Sequence, residues 1–174
     1  MLRDFNLLVT TSRGNEHDTC AELRYLLGEV GDSSAIIDRS CISGLVVARI
    51  HISPLEAVDK LRKVLHERPY EFRYTLRIIP IEAVVRTNLE AIKNRAVELA
   101  STIGENEAFR ITVEKRFSSI RSREIIDAVA KDIKRKVNLS KPDKVLLIEV
   151  IGGLTGVSLT KPEYVLSVLR EKLL

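Results

Sequence analysis

Apolar residues in the first 80 positions recur with the periods of alternating strands and helices. Leu23, Leu26 and Val30 are spaced as on one face of a helix, whereas Phe72–Ile79 alternates apolar with polar residues, as a half-buried strand does. Pro54 follows Ser53, an arrangement typical of a helix start. The predicted elements are a strand at 5–10, a helix at 16–30, strands at 35–38 and 45–52, a helix from Pro54 and a strand at 72–79. This β-α-β-β-α-β order predicts a ferredoxin-like unit.

The second half of the chain shows a different order of elements. Thr87 and Glu90 have the spacing of a capping box before a helical stripe that reaches Ile103. The further predicted elements are a strand at 109–114, a helix at 122–137, a central strand at 145–151, a hairpin partner at 157–159 and a helix from Pro162. No Gly/Ser-rich linker separates the halves. We therefore expect a mixed α+β protein with packed domains at 1–82 and 83–174.

The segment 109–137 combines a strand, a basic loop and a helix. Phe109, Ile111 and Val113 alternate with polar residues, which predicts one buried strand face. Ser122 is a predicted N-cap, since a hydroxyl can accept a hydrogen bond from the first helical turn. The predicted helix has one apolar stripe, formed by Ile125, Ile126, Val129, Ile133 and Val137.

Positive charge is concentrated in this part of the chain. Residues 110–144 contain 11 Lys/Arg and five Asp/Glu, a net charge of +6, whereas residues 1–80 contain 11 of each. A local excess of cations is typical of a protein that binds a polyanion. Lysines in the last helical turn also suit the helix dipole, so a solvated helix remains an alternative for the helix alone.

No arrangement of residues in the sequence predicts catalysis. Cys20 and Cys41 lack zinc-ligand spacing and are expected to be small hydrophobic residues. His17 lies near Cys20 in the chain, but chance explains this spacing more simply than a catalytic pair does. The glycine-rich segment 152–156 follows neither nucleotide-binding pattern and predicts a hairpin turn. The turn at 12–16 precedes a helix, where it could accept an anion or be an ordinary turn. We expect no catalytic residue, metal or cofactor.

The chain has no apolar run of about 20 residues that would predict a membrane span. Its N-terminus lacks the apolar core and the small-residue cleavage site of a signal peptide. We therefore expect a cytoplasmic protein with no membrane partner.

From about Thr87 onward the chain resembles a THUMP domain, an RNA-binding module of tRNA-modifying proteins. The similar motifs are FRITVEKR, SSIRSREII, VNLSKPD and LLIEVIGGLTGVSL, in that order. The segment LLVTTSRGNE and the first-half element order resemble the ferredoxin-like domain that precedes THUMP in this family. Because the chain ends at Leu174, without room for a catalytic domain, it is similar to the family's stand-alone adaptors for tRNA cytidine acetylation.

The resemblance implies a non-catalytic protein whose THUMP domain holds the acceptor end of tRNA for a separate acetyltransferase. No DNA partner is expected. Arg and Lys would contact phosphates, serine hydroxyls would bond phosphate or the 2′-OH, and Phe117 would either stack on a base or close the core. The RNA-binding residues that we predict are Arg110, Lys115, Arg116, Phe117, Ser119, Arg121, Arg123, Lys134 and Lys144.

A second interpretation is a regulatory protein that binds a small molecule, since ferredoxin-like domains can dimerise around a metabolite. The two hypotheses differ in whether they require the positively charged segment. A regulator does not need a segment with a net charge of +6, and its contact with RNA would be weak and insensitive to salt.

Overall fold

The computed structural model describes residues 1–174, which form two compact units. The first unit contains Met1–Ile81 and Glu163–Leu174, and the second contains Glu82–Pro162. None of the helices has the length and apolar character needed to cross a bilayer. In chain order the elements are β1 (Leu7–Thr10), α1 (Glu16–Glu29), β2 (Ile36–Arg39), β3 (Leu45–Arg49), α2 (Pro54–Glu67), β4 (Arg77–Pro80), β5 (Ala83–Arg86), α3 (Leu89–Ala100), β6 (Ala108–Arg116), α4 (Ser122–Ala130), β7 (Lys136–Val137), β8 (Lys144–Ile151), β9 (Leu154–Thr160), β10 (Leu166–Ser167) and α5 (Val168–Lys172).

The first unit is built on an antiparallel sheet with the strand order β10-β4-β1-β3-β2. The elements up to β4 follow the predicted β-α-β-β-α-β order. The apolar faces of α1 and α2 pack on the sheet, where Leu26, Leu61 and Val46 are fully buried in one core. The periodicity of these residues therefore predicted the core faces correctly.

Two predictions for the first unit need correction. The strand predicted at 72–79 is only Arg77–Pro80, because Phe72 follows a 3-10 turn at Pro69–Glu71 and is buried there. The helix predicted from Pro162 begins only at Val168, after a 3-10 turn and β10. β10 pairs with β4 of the first unit.

The C-terminal segment consequently lies in the first unit, whereas the expected domain 83–174 included it. Leu166 pairs with Ile78, and both Leu166 and Val168 are buried in the core of the first unit. The Lys172 ammonium donates a hydrogen bond to the Phe72 carbonyl at 2.8 Å. Strand pairing and apolar burial hold the segment in place.

The second unit contains a mixed sheet with the strand order β5-β9-β8-β6-β7. β6 runs parallel to β7 and β8, and β8 forms the predicted antiparallel hairpin with β9. The hairpin turn is shorter than expected, because Ile151 pairs with Leu154 across Gly152 and Gly153 alone. Gly152 has a φ of 61°, as the first central residue of a type II′ hairpin turn requires.

One face of this sheet is covered by α3 and α4. Residues Ile92, Phe109, Ile125 and Ile148 meet in its core. α3 begins after Asn88, whose Oδ1 accepts a hydrogen bond from the Ala91 amide at 2.8 Å. The predicted capping box placed the N-cap one residue too early.

The helix predicted at 122–137 is wrong in its second half. α4 ends at Ala130, and Lys136 and Val137 instead form β7, paired with the start of β6. Val137 is more than half exposed and so lies outside the predicted apolar stripe. Ser122 is the first helical residue, and the N-cap is Arg121, whose side chain makes no capping hydrogen bond. β5 was not predicted.

Candidate nucleic-acid interface

β6 presents alternate side chains to opposite faces of its sheet. Phe109, Ile111 and Val113 pack in the core beneath the helices. By strand alternation, Arg110, Thr112, Glu114 and Arg116 lie on the other face. The strand is therefore amphipathic, as the sequence predicts, and cations lie near both of its ends.

The loop from Phe117 to Arg121, here called the β6–α4 loop, leaves the strand by a sharp turn. The Gly152 amide donates a hydrogen bond to the Arg116 carbonyl at 2.9 Å, which fixes the end of β6 against the β8–β9 turn. Further along, the Ile120 amide donates to the Ser118 hydroxyl at 3.2 Å, and the Ile120 side chain packs against the core. The loop is thus anchored at both ends.

Phe117 lies at the beginning of this loop with its ring in solvent. It is 83% exposed, whereas the other three phenylalanines are each 1% exposed. It is also the only non-glycine residue with a positive φ, at 52°. This conformation costs such a residue on the order of 1 kcal/mol. The structure excludes the alternative that Phe117 closes the core.

Three cations of the loop region point into solvent. Lys115 is exposed, as are Arg121 and Arg123, at 84% and 85% of their side chains. Arg121 is 3.9 Å from Glu124 and Arg123 is 3.3 Å from Asp127, and both are weak surface ion pairs because all four side chains are more than half exposed. A phosphate could therefore replace either carboxylate as the partner of its arginine at little cost in free energy. The Ser119 side chain is also exposed.

Arg116 is held differently from its neighbours. Its guanidinium lies 2.8 Å from the carboxylate of Glu149 in β8, whose side chain is 1% exposed. A phosphate would have to displace a buried carboxylate, which is far more costly than displacing a surface partner. The structure therefore places Arg116 in the framework beneath the loop rather than on its free surface.

The remaining predicted residues lie at the opposite end of β6. Arg110 donates a hydrogen bond to the Leu139 carbonyl at 2.9 Å, and Lys144 pairs in register with Phe109 at the start of the strand. Lys134 is exposed in the turn between α4 and β7. From Arg110 to Arg116 the strand extends about 20 Å, at about 3.3 Å per residue. The structure thus divides the nine residues into two groups.

The second group, here called the β7-end cluster, contains cations that sequence reasoning missed. In the chain they lie before β7, within it and in the Asn138 turn that follows it, and they are Lys131, Arg135, Lys136 and Lys141. Asp132, in their midst, is held by Lys93 of α3 at 2.9 Å, and this hydrogen bond lowers the pKa of Asp132. The dense run Lys134–Lys136 was visible in the sequence, but in the predicted helix these cations could also serve the helix dipole, and only Lys134 was predicted to bind RNA.

The segment 86–166 spans both groups, from the end of β5 to β10, and it matches the family model of the THUMP domain. The chain contains a THUMP domain. This domain indicates RNA binding as the broad functional class. The β6–α4 loop and the β7-end cluster both lie within it.

The chain resembles several longer proteins. The uncharacterized protein MJ0421 of Methanocaldococcus jannaschii is 26% identical over 170 residues, which cover 95% of this chain and 43% of the relative. PH1313 from Pyrococcus horikoshii Ot3 has a TM-score of 0.63 at 20% identity, over 91% of this chain and 55% of its own. This chain therefore spans about half the length of these relatives.

Two further solved structures share the fold. TrmN from Thermus thermophilus has a TM-score of 0.54 at 16% identity, over 90% of this chain and 46% of its own. A 4-thiouridine synthetase, solved in complex with RNA and bound ATP, has a TM-score of 0.52 at 15% identity, over 91% of this chain and 42% of its own. At these sequence identities, the structural similarity shows only a shared fold, which includes the THUMP domain and the residues around it.

Outside the THUMP domain, the turn at 12–16 is occupied by the protein's own carboxylate. Glu16 accepts hydrogen bonds from the Gly44 amide at 2.6 Å and from the Gly14 amide, and also from the Ser43 hydroxyl. The Gly44 amide, together with the other donors, lowers the pKa of Glu16 to about 2. An external anion would meet this carboxylate, so the turn is better explained as a structural element.

The cysteine and histidine side chains show no arrangement for nucleophilic chemistry. Cys20 is half-buried, and burial raises the pKa of its thiol, which disfavours the reactive thiolate. His17, which precedes it on α1, is exposed. No group of three or more His, Cys, Asp or Glu side chains is placed to hold a metal ion.

Proposed function

We propose that this protein binds tRNA through its THUMP domain and presents it to a separate modifying enzyme. The acceptor end of the tRNA lies against the β6–α4 loop in this proposal. The modifying enzyme is an acetyltransferase that forms acetylcytidine, and the protein itself performs no chemical step.

The observation that carries the proposal is the exposed β6–α4 loop within a THUMP domain. Lys115, Arg121 and Arg123 are all exposed there, beside the exposed ring of Phe117. Cations that contact phosphates, next to an aromatic face, are the combination that binds single-stranded nucleic acid. The existence of an RNA complex of the 4-thiouridine synthetase, which shares this fold, supports an RNA ligand for this domain as well.

The β7-end cluster gives the same ligand a second region of contact. Lys134, Lys136 and Lys141 are exposed near the opposite end of β6 from the loop, and the strand between Arg110 and Arg116 extends about 20 Å. Two cationic regions separated by this distance suit an extended polyanion better than a small metabolite. This geometry favours RNA over the small-molecule regulator.

We expect tRNA affinity to depend strongly on salt and on the loop cations. Each phosphate contact contributes about 0.7 to 0.9 to the slope of log affinity against log salt concentration. The triple substitution Lys115→Ala, Arg121→Ala and Arg123→Ala should therefore weaken binding and flatten this slope by about 2. Fluorescence-anisotropy titrations of tRNA at several salt concentrations measure both quantities.

The matched control removes three exposed cations of the first unit instead, through Arg13→Ala, Arg24→Ala and Lys63→Ala. It changes the net charge equally but leaves the THUMP domain intact, so its slope should stay near that of the wild type. A tRNA lacking its acceptor end should bind weakly to every variant. Equal slopes for the loop variant and the wild type would remove the loop from the RNA surface.

We also expect the purified protein to modify no nucleoside by itself. Incubation with tRNA and acetyl-CoA, followed by mass spectrometry of the nucleosides, should show no acetylcytidine until an acetyltransferase is added. The loop triple variant should reduce the yield of the complete reaction, since less tRNA is bound. Acetylcytidine formed by the isolated protein would contradict the adaptor role.

A further inference from the structure

We propose that the open edge of β6, from Ile111 to Lys115, is a docking site for an extended segment of a partner protein. The segment adds one strand to the sheet of the second unit, and it has apolar residues at alternate positions and acidic residues at its ends. This inference goes beyond the proposed function and does not depend on it, because strand addition requires no RNA.

The edge is open because β7 covers only the beginning of β6. The two strands pair only through the first two residues of β6. The Asn138 amide donates a last hydrogen bond to the Phe109 carbonyl at 3.0 Å, and the chain then leaves the sheet through the Asn138 turn. The five residues that follow Arg110 in β6 have no strand on this side, and five residues are an ordinary strand length.

Main-chain groups along this edge lack hydrogen-bond partners. The Phe109 carbonyl faces β7, whereas the Arg116 carbonyl faces β8. Because peptide groups alternate in direction along a strand, the N–H and C=O groups of Ile111, Val113 and Lys115 face the open side. These three residues form no main-chain hydrogen bond. The edge therefore offers three donors and three acceptors at the spacing that another strand presents.

Side-chain burial changes along β6 in the same way. Phe109, which is covered by β7, is 1% exposed, whereas Ile111 and Val113 on the same face are only half-buried. An added strand with apolar residues at alternate positions would remove this remaining surface from water. Neither a proline nor a bulge interrupts the edge, and these are the devices that usually prevent strand addition.

The charges around the edge determine which segment suits it. Lys115 lies at one end of the edge and Lys136 of β7 lies near the other, and both are exposed. Glu114 is the one carboxylate of β6. Acidic residues at both ends of a partner segment would therefore complement the charge of the site.

Two other occupants fit the edge less well. A second copy, paired antiparallel about a two-fold axis, would bring the β6–α4 loop of one copy near the β7-end cluster of the other, so that cations would face cations. RNA phosphates accept hydrogen bonds but donate none, so they would leave the three carbonyls of the edge without donors. A polypeptide strand supplies both kinds of group in alternation.

The test uses the full chain and a capped synthetic peptide, EDVTVTVED, as the probe. Fluorescence anisotropy of the labelled peptide should show saturable binding, and the peptide KKVTVTVKK should bind about 10-fold more weakly or worse, because its charge is reversed. Amide hydrogen exchange followed by NMR locates the site. In the free protein the Ile111 and Val113 amides should exchange faster than those of Thr112 and Glu114, and EDVTVTVED should slow the exchange of Ile111 and Val113.

Val113→Pro is the variant that tests the pairing itself. Proline removes an N–H that faces the open edge and none that faces β8, so the sheet can tolerate it. Peptide affinity should fall about 10-fold, while tRNA affinity should not change. Protected Thr112 and Glu114 amides in the variant would show that β6 and β8 remain paired. If the variant does not fold, the peptide EDPTPTPED gives the matched comparison on the wild type, and it should bind weakly because it lacks the valine N–H groups.

Three results would overturn the docking site. The first is no binding of EDVTVTVED at millimolar concentration, or equal binding of EDVTVTVED and EDPTPTPED. The second is protection of the Ile111 and Val113 amides by tRNA but not by the peptide, which would assign the edge to RNA. The third is a wild-type dimer that Val113→Pro dissociates, which would assign the edge to a second copy. Since tRNA and peptide are titrated separately, tRNA binding can fail without affecting this inference.

Discussion

Replacing Arg116 with Ala is expected to lower the free energy of unfolding by about 3 kcal/mol, a larger effect than that of any other cation of the β6–α4 loop region. The substitution removes the guanidinium that binds the Glu149 carboxylate at 2.8 Å, and this carboxylate is 1% exposed in the folded protein. Removing one partner of a buried charge is costly, because that charge has given up its hydration on burial. Urea unfolding measures the loss, and hydrogen exchange of the β6 and β8 amides locates it.

Arg121→Ala is the matched control, since it removes the same side chain five residues further along. Its ion pair with Glu124 spans 3.9 Å at the surface, so the cost should be below about 0.5 kcal/mol. A double-mutant cycle of Arg116→Ala with Glu149→Gln should show coupling between the two residues. If Arg116→Ala is as stable as Arg121→Ala yet loses RNA affinity, Arg116 belongs to the phosphate surface after all.

Arg116 shows why the sequence alone could not identify the free cations of the site. The basic run around the loop was visible, and so was the alternation of β6. The partner of Arg116, however, lies 33 residues away in β8, and only the parallel register of β6 with β8 brings the two strands together. A local charge pattern in the sequence predicts where cations occur. Pairing between strands that are distant in the sequence decides which of these cations remain free to bind a phosphate.

Phe117 illustrates the opposite case. The sequence left two interpretations open, a stacked base or a core position, because an aromatic residue after an amphipathic strand suits either. The structure excludes the core position through one backbone angle and one exposure. Neither quantity has a pattern in the sequence, since φ at the end of a strand depends on how the following loop is anchored.

The fold was predicted best where periodic patterns are long. Helices α1, α2 and α3 and the β8–β9 hairpin were found from their apolar spacing. β5, β7 and β10 were missed, and β7 and β10 have only two residues each, too few to show a period. The stripe through Ile133 and Val137 continued the pattern of α4, but pairing of β7 with β6 overrides it. Such short strands form because a neighbouring strand has an open edge.

Leu166→Ala should destabilise the protein by about 3 kcal/mol, through the first unit and not through the THUMP sheet. Leu166 is fully buried in the core of the first unit and pairs with Ile78 of β4. Its truncation leaves a cavity in that core. Urea unfolding measures the loss, and hydrogen exchange should show increased opening of β1 and β4 with little change in β6 and β8.

Leu169→Ala removes the same number of atoms three residues later, where the side chain is 63% exposed, so its effect on the free energy of unfolding should be within about 0.5 kcal/mol.

A chain that ends at Pro162 lacks both β10 and the buried Val168, and it should lose the cooperative unfolding of the first unit. Residues 163–174 are thus needed by the unit that begins the chain, although they follow the THUMP sheet in sequence. Two results together would support folding units divided at 82/83 instead. The shortened chain would keep full hydrogen-exchange protection of β1 and β4, and Leu166→Ala would have the same free energy of unfolding as Leu169→Ala.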